Sequence, residues 1–175
     1  MPRILIAYST VDGQTLKICE RIRQTLQALG HAVTVVEIRE DTVVDAAALD
    51  TFVIGASIRY GKYRKNVYGF IDRHRRALEQ KPGAFFSVNV VARKPGRDSP
   101  DSNPYIKPFI AKAGWTPAEI AVFAGKIDYA RYHWRDRLMI RFIMWMTKGP
   151  TQPDACVEFT DWQAVDAFAR RISSM

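Results

Sequence analysis

Short unbroken apolar runs alternate along this chain with longer stretches in which apolar residues recur at every third or fourth position. Residues 4–8 (Ile4, Leu5, Ile6, Ala7, Tyr8) form the first run, the pattern of a strand buried on both faces. Over 15–29, Leu16, Ile18, Cys19, Ile22, Leu26 and Leu29 keep helical spacing, and Gly30 ends the segment. Residues 32–38 read as a second strand and 51–56 as a third. Residues 66–79 read as a helix rich in basic side chains, and 83–91 as a fourth strand. Residues 103–113 read as a helix with Pro104 in its first turn, and 120–125 as a fifth strand. Thr160 and Asp161 cap a last helix that runs toward Ser173.

Strands alternating with helices predict an α/β fold, a doubly wound five-stranded parallel sheet of order 2-1-3-4-5. At 175 residues, the chain suits a single domain. Ligands of such sheets bind outside the carboxyl ends of the strands, here the loops after the first, third and fourth. Residues 126–157 exceed what the minimal fold needs, and an insertion this long before the last helix is usually functional or disordered.

The first of those loops is Ser9-Thr10-Val11-Asp12-Gly13-Gln14-Thr15, followed at once by a helix. Ser9, Thr10 and Thr15 carry hydroxyls, Gln14 an amide, and Gly13 permits a turn that aims backbone N–H groups at an anion. An ordinary helix cap explains the same residues. Neither a Walker A loop nor a GxGxxG loop is present. The stretch from Thr10 to Thr15 resembles the flavodoxin FMN-phosphate loop, T-x-T-G-x-T, with Asp12 where a hydroxyl is usual. A carboxylate repels a phosphate, so Asp12 is expected to point away and offer only its backbone N–H.

The loops after the third and fourth strands contain Ser57, Ile58, Arg59, Tyr60 and Gly61, and Ser87, Val88, Asn89, Val90 and Val91. Tyr60, Ile58 and Val91 suit the faces of a flavin ring, and backbone groups around Ser57 and Asn89 suit its pyrimidine edge. Alternatively, Tyr60 is a half-buried surface ring and Asn89 a strand-end turn residue. The stretches from Ile54 to Gly61, Phe86 to Pro95 and Tyr129 to Arg137 resemble those of the bacterial quinone-dependent protoporphyrinogen IX dehydrogenases, as does the closing Phe159-Thr160-Asp161-Trp162. The resemblance spans essentially the whole chain, insertion included, with Val11 where a basic residue stands in that family.

Charge sharpens the picture. Twenty-six Lys and Arg against 18 Asp and Glu give a net charge of +8, which favours anionic partners. Two cysteines with no CxxC or Cys/His cluster argue against metal or dithiol chemistry. Pro2-Arg3 leads straight into the first strand, so no signal peptide is expected, and no apolar run reaches a membrane span. In the insertion, a basic and aromatic stretch from Arg131 to Arg137 precedes the nearly apolar Leu138 to Met146. On a helix, Arg137, Arg141 and Lys148 would form one stripe suited to a headgroup layer, and the apolar remainder would suit contact with a membrane or with an apolar substrate. Packing on its own domain or at a homo-oligomer interface is the alternative. Arginine with Trp and Tyr is also a nucleic-acid vocabulary, but the cations gather around the inferred ligand site, and no nucleic acid is expected.

The resemblance implies oxidation of protoporphyrinogen IX at an FMN cofactor, a step of heme synthesis, with electrons passed to menaquinone or ubiquinone. It also implies a cytoplasmic protein held peripherally on the inner face of the cell membrane. Arg59, Lys62, Arg64, Arg93, Lys94, Arg131 and Arg135 are candidates for the substrate's propionates. The cofactor carries the chemistry; His133 could serve as an acid or base, though a surface or packing role explains it better. An NAD(P)H-dependent quinone reductase is the nearest rival. A flavodoxin-type electron carrier is disfavoured by the basic charge, and a non-enzymatic membrane module is a further class.

Overall fold

The computed structural model describes residues 1–175. The elements are β1 (Arg3–Ser9), α1 (Gln14–Ala28), β2 (Ala32–Glu37), β3 (Thr51–Ser57), α2 (Lys65–Arg73), α3 (Arg75–Gln80), β4 (Gly83–Asn89), α4 (Ile106–Ala113), β5 (Glu119–Ala124), β6 (Lys126–Asp128), α5 (Trp134–Met146), β7 (Cys156–Glu158) and α6 (Trp162–Ser173). Five strands form one parallel sheet in the order β2-β1-β3-β4-β5, as the alternation predicts. The unbroken apolar runs mark β1, β3 and β4 because these three strands lie inside the sheet, covered on both faces.

Period-two alternation divides the core. Ile4, Ile6 and Tyr8 of β1 face α1 and α6, where they meet Ile18, Ile22, Leu26, Val165 and Phe168. Leu5 and Ala7 face the other way, with Phe52, Ile54, Phe70, Phe85 and Phe109. Gly55 lies directly opposite Phe86 across the β3–β4 ladder, and a Cβ there would overlap the Phe86 ring. The missing side chain is what lets that ring lie flat in the core.

Four local expectations need correction. The 66–79 helix is broken into α2 and α3 at His74. The ring Nδ1–H of His74 donates to Phe70 O at 2.9 Å, while Nε2 accepts from Val44 N at 3.2 Å, so the side chain bends the chain toward a distant loop. The helix of 103–113 starts only at Ile106, and the first-turn proline is Pro108 rather than Pro104. The fourth strand stops at Asn89, whose Oδ1 accepts from Ala92 N at 3.0 Å and caps a 3₁₀ turn, Val90–Arg93. Lys148 lies outside α5 at φ 56°, so the imagined cationic stripe ends at Arg141.

The insertion is ordered. β6 and β7 form a small antiparallel pair, and Ile127, Tyr129, Tyr132 and Met144 form its own core against Val90 and Phe159. Its arginines hold the insertion itself: Arg137 Nε donates to Tyr129 O at 3.0 Å and Arg141 Nε to Thr151 O at 2.8 Å. The opposite side of α5 leaves Leu138, Met139, Phe142, Trp145 and Met146 half or more exposed.

Candidate functional site

The loops after β1, β3 and β4 converge on one cleft, and the insertion closes its far side. The first wall is the phosphate-type loop. Gly13 precedes α1 at φ 87°, a left-handed conformation that glycine adopts without strain, and no side chain caps the helix. The first amides of α1 are therefore left to face the loop, with the positive end of the helix dipole behind them. Thr10 Oγ1 accepts from Gly13 N at 3.0 Å and fixes the turn. Thr15 Oγ1 is buried with no partner. Gln14 borders the cleft, but its amide donates to Thr160 Oγ1 at 3.0 Å and ties the loop to the start of α6.

The second wall is a tight hairpin after β3. Arg59 and Lys62 exchange backbone hydrogen bonds of 3.0 and 3.1 Å, and Tyr60 and Gly61 between them have φ of 51° and 73°. Two positive φ values define a type I′ turn, in which Gly61 fits and Tyr60 is strained. The Tyr60 hydroxyl bonds to Asp136 in the first turn of α5, which joins the hairpin to the insertion. Ser57, Ile58, Arg59, Tyr60 and Gly61 all border the cleft, and Ser57 Oγ is a second buried hydroxyl without a partner.

The third wall is Val88, Asn89, Val90 and Val91. Beneath it lies a buried polar network. Asn89 and Asn103 pair through their side-chain amides, with Asn103 Nδ2 donating to Asn89 Oδ1 at 3.1 Å. Ser87 Oγ accepts from Tyr63 at 2.8 Å and from Asn89 at 3.0 Å. Burial pushes the Tyr63 phenol far up, so it stays a neutral donor. Ser87 thus supports the loop from behind instead of facing the cleft, and Ser9, also buried, does the same behind the first loop.

The fourth wall comes from the insertion, whose helix the sequence suggests for membrane or substrate contact without saying which residues face a ligand. Ile140, Ile143, Met144 and Thr147 of the insertion, with Ile127 and Tyr132, face into the cleft, joined by Gly125, Lys126 and Tyr105. Burial pushes the Tyr132 phenol up to about 12, so this wall carries no anionic oxygen at neutral pH. The only available signal was helical spacing of Ile140, Ile143, Met144 and Thr147, which an all-round apolar helix conceals.

The candidate cations separate. Arg59, Arg93 and Lys94 border the cleft; Lys62, Arg64, Arg131 and Arg135 do not. Arg64 donates to Thr10 O at 3.1 Å from outside the loop, Arg131 sits by Asp128, and Arg135 lies over Trp134. Arg93 is held by Val90 O and by Thr147 O and Oγ1, at 3.0, 3.1 and 3.1 Å, so it pins the insertion to the third wall. Asp12 is also corrected: its carboxylate does not turn away but lies 2.5 Å from Arg59 Nη2. His133 is exposed at the start of α5 and lies outside the cleft, in no position to move a proton within it.

The comparisons with known proteins agree with this geometry. Residues 5–154 match the family model described as a flavodoxin domain. Over 99% of the chain, 40% of residues are identical to a protein named protoporphyrinogen IX dehydrogenase [quinone] from Escherichia coli strain K12, 96% of which is covered. The chain belongs to this flavodoxin-like dehydrogenase family. A protein of the same name from Leishmania major is 36% identical over 99% of the chain and 76% of that protein. A flavodoxin from the domain Archaea superposes with a TM-score of 0.55 at 15% identity, covering 98% of this chain and 96% of that one, a likeness of fold. Family membership supports a flavin as the cofactor. The unpartnered hydroxyls of Thr15 and Ser57 and the uncapped start of α1 fit such a group.

Proposed function

We propose that this chain is an FMN-dependent dehydrogenase that oxidises protoporphyrinogen IX to protoporphyrin IX and passes the electrons to a membrane quinone. The carrying observation is the continuity of one cleft from the helix-α1 loop to the apolar inner face of α5. Thr10, Thr15 and the first amides of α1 receive the cofactor phosphate at the helix N-terminus, on a turn that Gly13 permits. Ser57, Ile58, Tyr60 and Gly61, with Val88 to Val91, hold the ring, Tyr60 and Ile58 lying against it. Bound FMN supplies the two-electron chemistry. Ile140, Ile143 and Met144 offer an apolar macrocycle a dry surface, and Lys94 and Lys126 stand at that end of the cleft for its carboxylates. No side chain in the cleft is placed as an obligatory acid or base, so the released proton passes to water.

The outer face of α5 rests on the inner surface of the cell membrane, where both apolar substrates dissolve. No helix is long and apolar enough to cross a membrane, so this attachment is peripheral. Exposed Arg131, Arg135 and Lys148 at the two ends of α5 suit anionic headgroups.

The test is anaerobic mixing of FMN-loaded protein with protoporphyrinogen IX, with and without a quinone, followed by porphyrin fluorescence. Quinone-stimulated porphyrin formation above the spontaneous rate is expected. No stimulation, with flavin bound and lipid present, overturns the assignment; rapid flavin bleaching by NAD(P)H would then identify a quinone reductase.

A further inference from the structure

Asp12 places a carboxylate on the loop that the FMN reading assigns to a phosphate, and its direction shows how the two negative charges coexist. The carboxylate reaches across the cleft mouth to Arg59 Nη2 at 2.5 Å. The Arg59 guanidinium is largely buried, at 16% exposure, and lies over the Tyr132 ring at 5.1 Å and beside Tyr60 at 5.8 Å. Its faces and one nitrogen are therefore engaged, while Nη1 is buried and has no acceptor. A guanidinium is a rigid planar fork, so Nη1 lies within about 5 Å of the Asp12 carboxylate, alongside the phosphate-type loop. A buried charged donor without a partner is costly, and Thr15 Oγ1 on the same loop is a second unpartnered group. Both residues, Thr15 and Arg59, border one cleft.

We propose that Asp12 and Arg59 form a charge-compensated pair in which Asp12 anchors the guanidinium and Arg59 Nη1 donates to the phosphate of the flavin nucleotide. This rests on the FMN reading and refines it. Arg59 then serves the cofactor's phosphate and not the substrate's propionates. It supplies the charge-assisted bond that a hydroxyl at position 12 cannot. Tyr132 supports the guanidinium from the insertion, so the insertion helps retain the nucleotide.

The test compares FMN with riboflavin, which lacks only the phosphate, by quenching of flavin fluorescence on titration with the full-length apoprotein. The native chain should prefer FMN strongly. Arg59→Gln should weaken FMN by about 30-fold or more and riboflavin by less than about threefold. Arg59→Lys, which keeps the charge but loses the fork, should fall between. Asp12→Asn should narrow the FMN preference less than Arg59→Gln does, because it removes the anchor and a repelling charge together. Equal losses for both flavins in Arg59→Gln would place Nη1 at the ring and overturn the proposal, as would no loss for either. A native chain that binds neither flavin would instead overturn the FMN reading. Thermal unfolding of each variant separates misfolding from lost binding, and Arg59→Lys keeps the test decisive if Arg59→Gln does not fold.

Discussion

Replacing Phe142 and Trp145 together by serine tests whether the outer face of α5 meets lipid. The two rings lie 6.2 Å apart and are 54% and 70% exposed. Side chains of this size present roughly 200 Å² each, so the pair offers on the order of 250 Å² to a partner. At about 25 cal/mol per Å², full transfer from water is worth about 6 kcal/mol. A helix lying in the interface buries roughly half of that area, leaving about 3 kcal/mol, or about two orders of magnitude in partitioning. Co-sedimentation with vesicles of phosphatidylglycerol and phosphatidylethanolamine measures it directly. The double variant should lose about 100-fold in partitioning. Its unfolding free energy should change by less than about 1 kcal/mol, because the removed atoms touch little of the fold. Equal partitioning of variant and native chain would refute the reasoning. So would a native dimer, detected by sedimentation, that the substitutions dissociate, since a second copy would then be what covers the face.

Three further outcomes follow from the geometry. Gly55→Ala should cost about 3 kcal/mol or more in urea unfolding, because its Cβ would overlap the ring of Phe86 in the sheet interior; a loss under about 1 kcal/mol would show that the ring can move. Tyr60→Asn should leave stability unchanged or raised by roughly 0.5 kcal/mol, since Asn tolerates the left-handed φ of 51° that strains Tyr, while weakening FMN binding. A stability loss above about 1 kcal/mol would mean that the Asp136 bond outweighs the strain. Arg21 and Thr25 hold the Asp166 carboxyl below its ordinary value. A depressed carboxyl contributes above its unfolded pKa of about 3.9 and loses that contribution as pH falls through the folded value. Asp166→Asn should therefore cost at most about 1 kcal/mol at pH 7, with solvent screening, and progressively less as pH drops below about 3.9; a pH-independent difference would refute the linkage.

The sheet was legible because its inner strands are buried on both faces, which leaves an unbroken apolar run in the sequence. The first loop was legible because Gly13 and the flanking hydroxyl residues are local chemistry. What escaped depended on partners far along the chain. The break at His74 needs Val44, and the pinning role of Arg93 needs Thr147. Residue type alone cannot separate an arginine bound to carbonyls from one facing a ligand, so Arg59 and Arg93 looked alike with Lys62 and Arg131. Asp12 was misread for the same reason: judged within its own loop it is a repelling charge, and only the hairpin after β3 supplies its counterion.

Helix α5 joins these two classes of information. It is apolar nearly all round, a pattern that usually means burial on every side. Here the two sides have different neighbours. Ile140, Ile143 and Met144 close the cleft, while Phe142 and Trp145 stand outside it. The helix does not hang loosely between them. Arg93 grips the turn after it, Arg137 and Arg141 bind carbonyls of the insertion, and Tyr60 reaches its first turn. The tether at Tyr60 comes from the hairpin that also presents Arg59, so the position of α5 and the geometry of the cofactor cleft are mechanically linked. Under the proposed function, a lipid-soluble substrate bound against the inner residues would lie one helix thickness from the exposed apolar surface. The insertion is a wall of the cleft on one side and an exposed apolar surface on the other, and neither feature requires the five-stranded sheet beneath it to change.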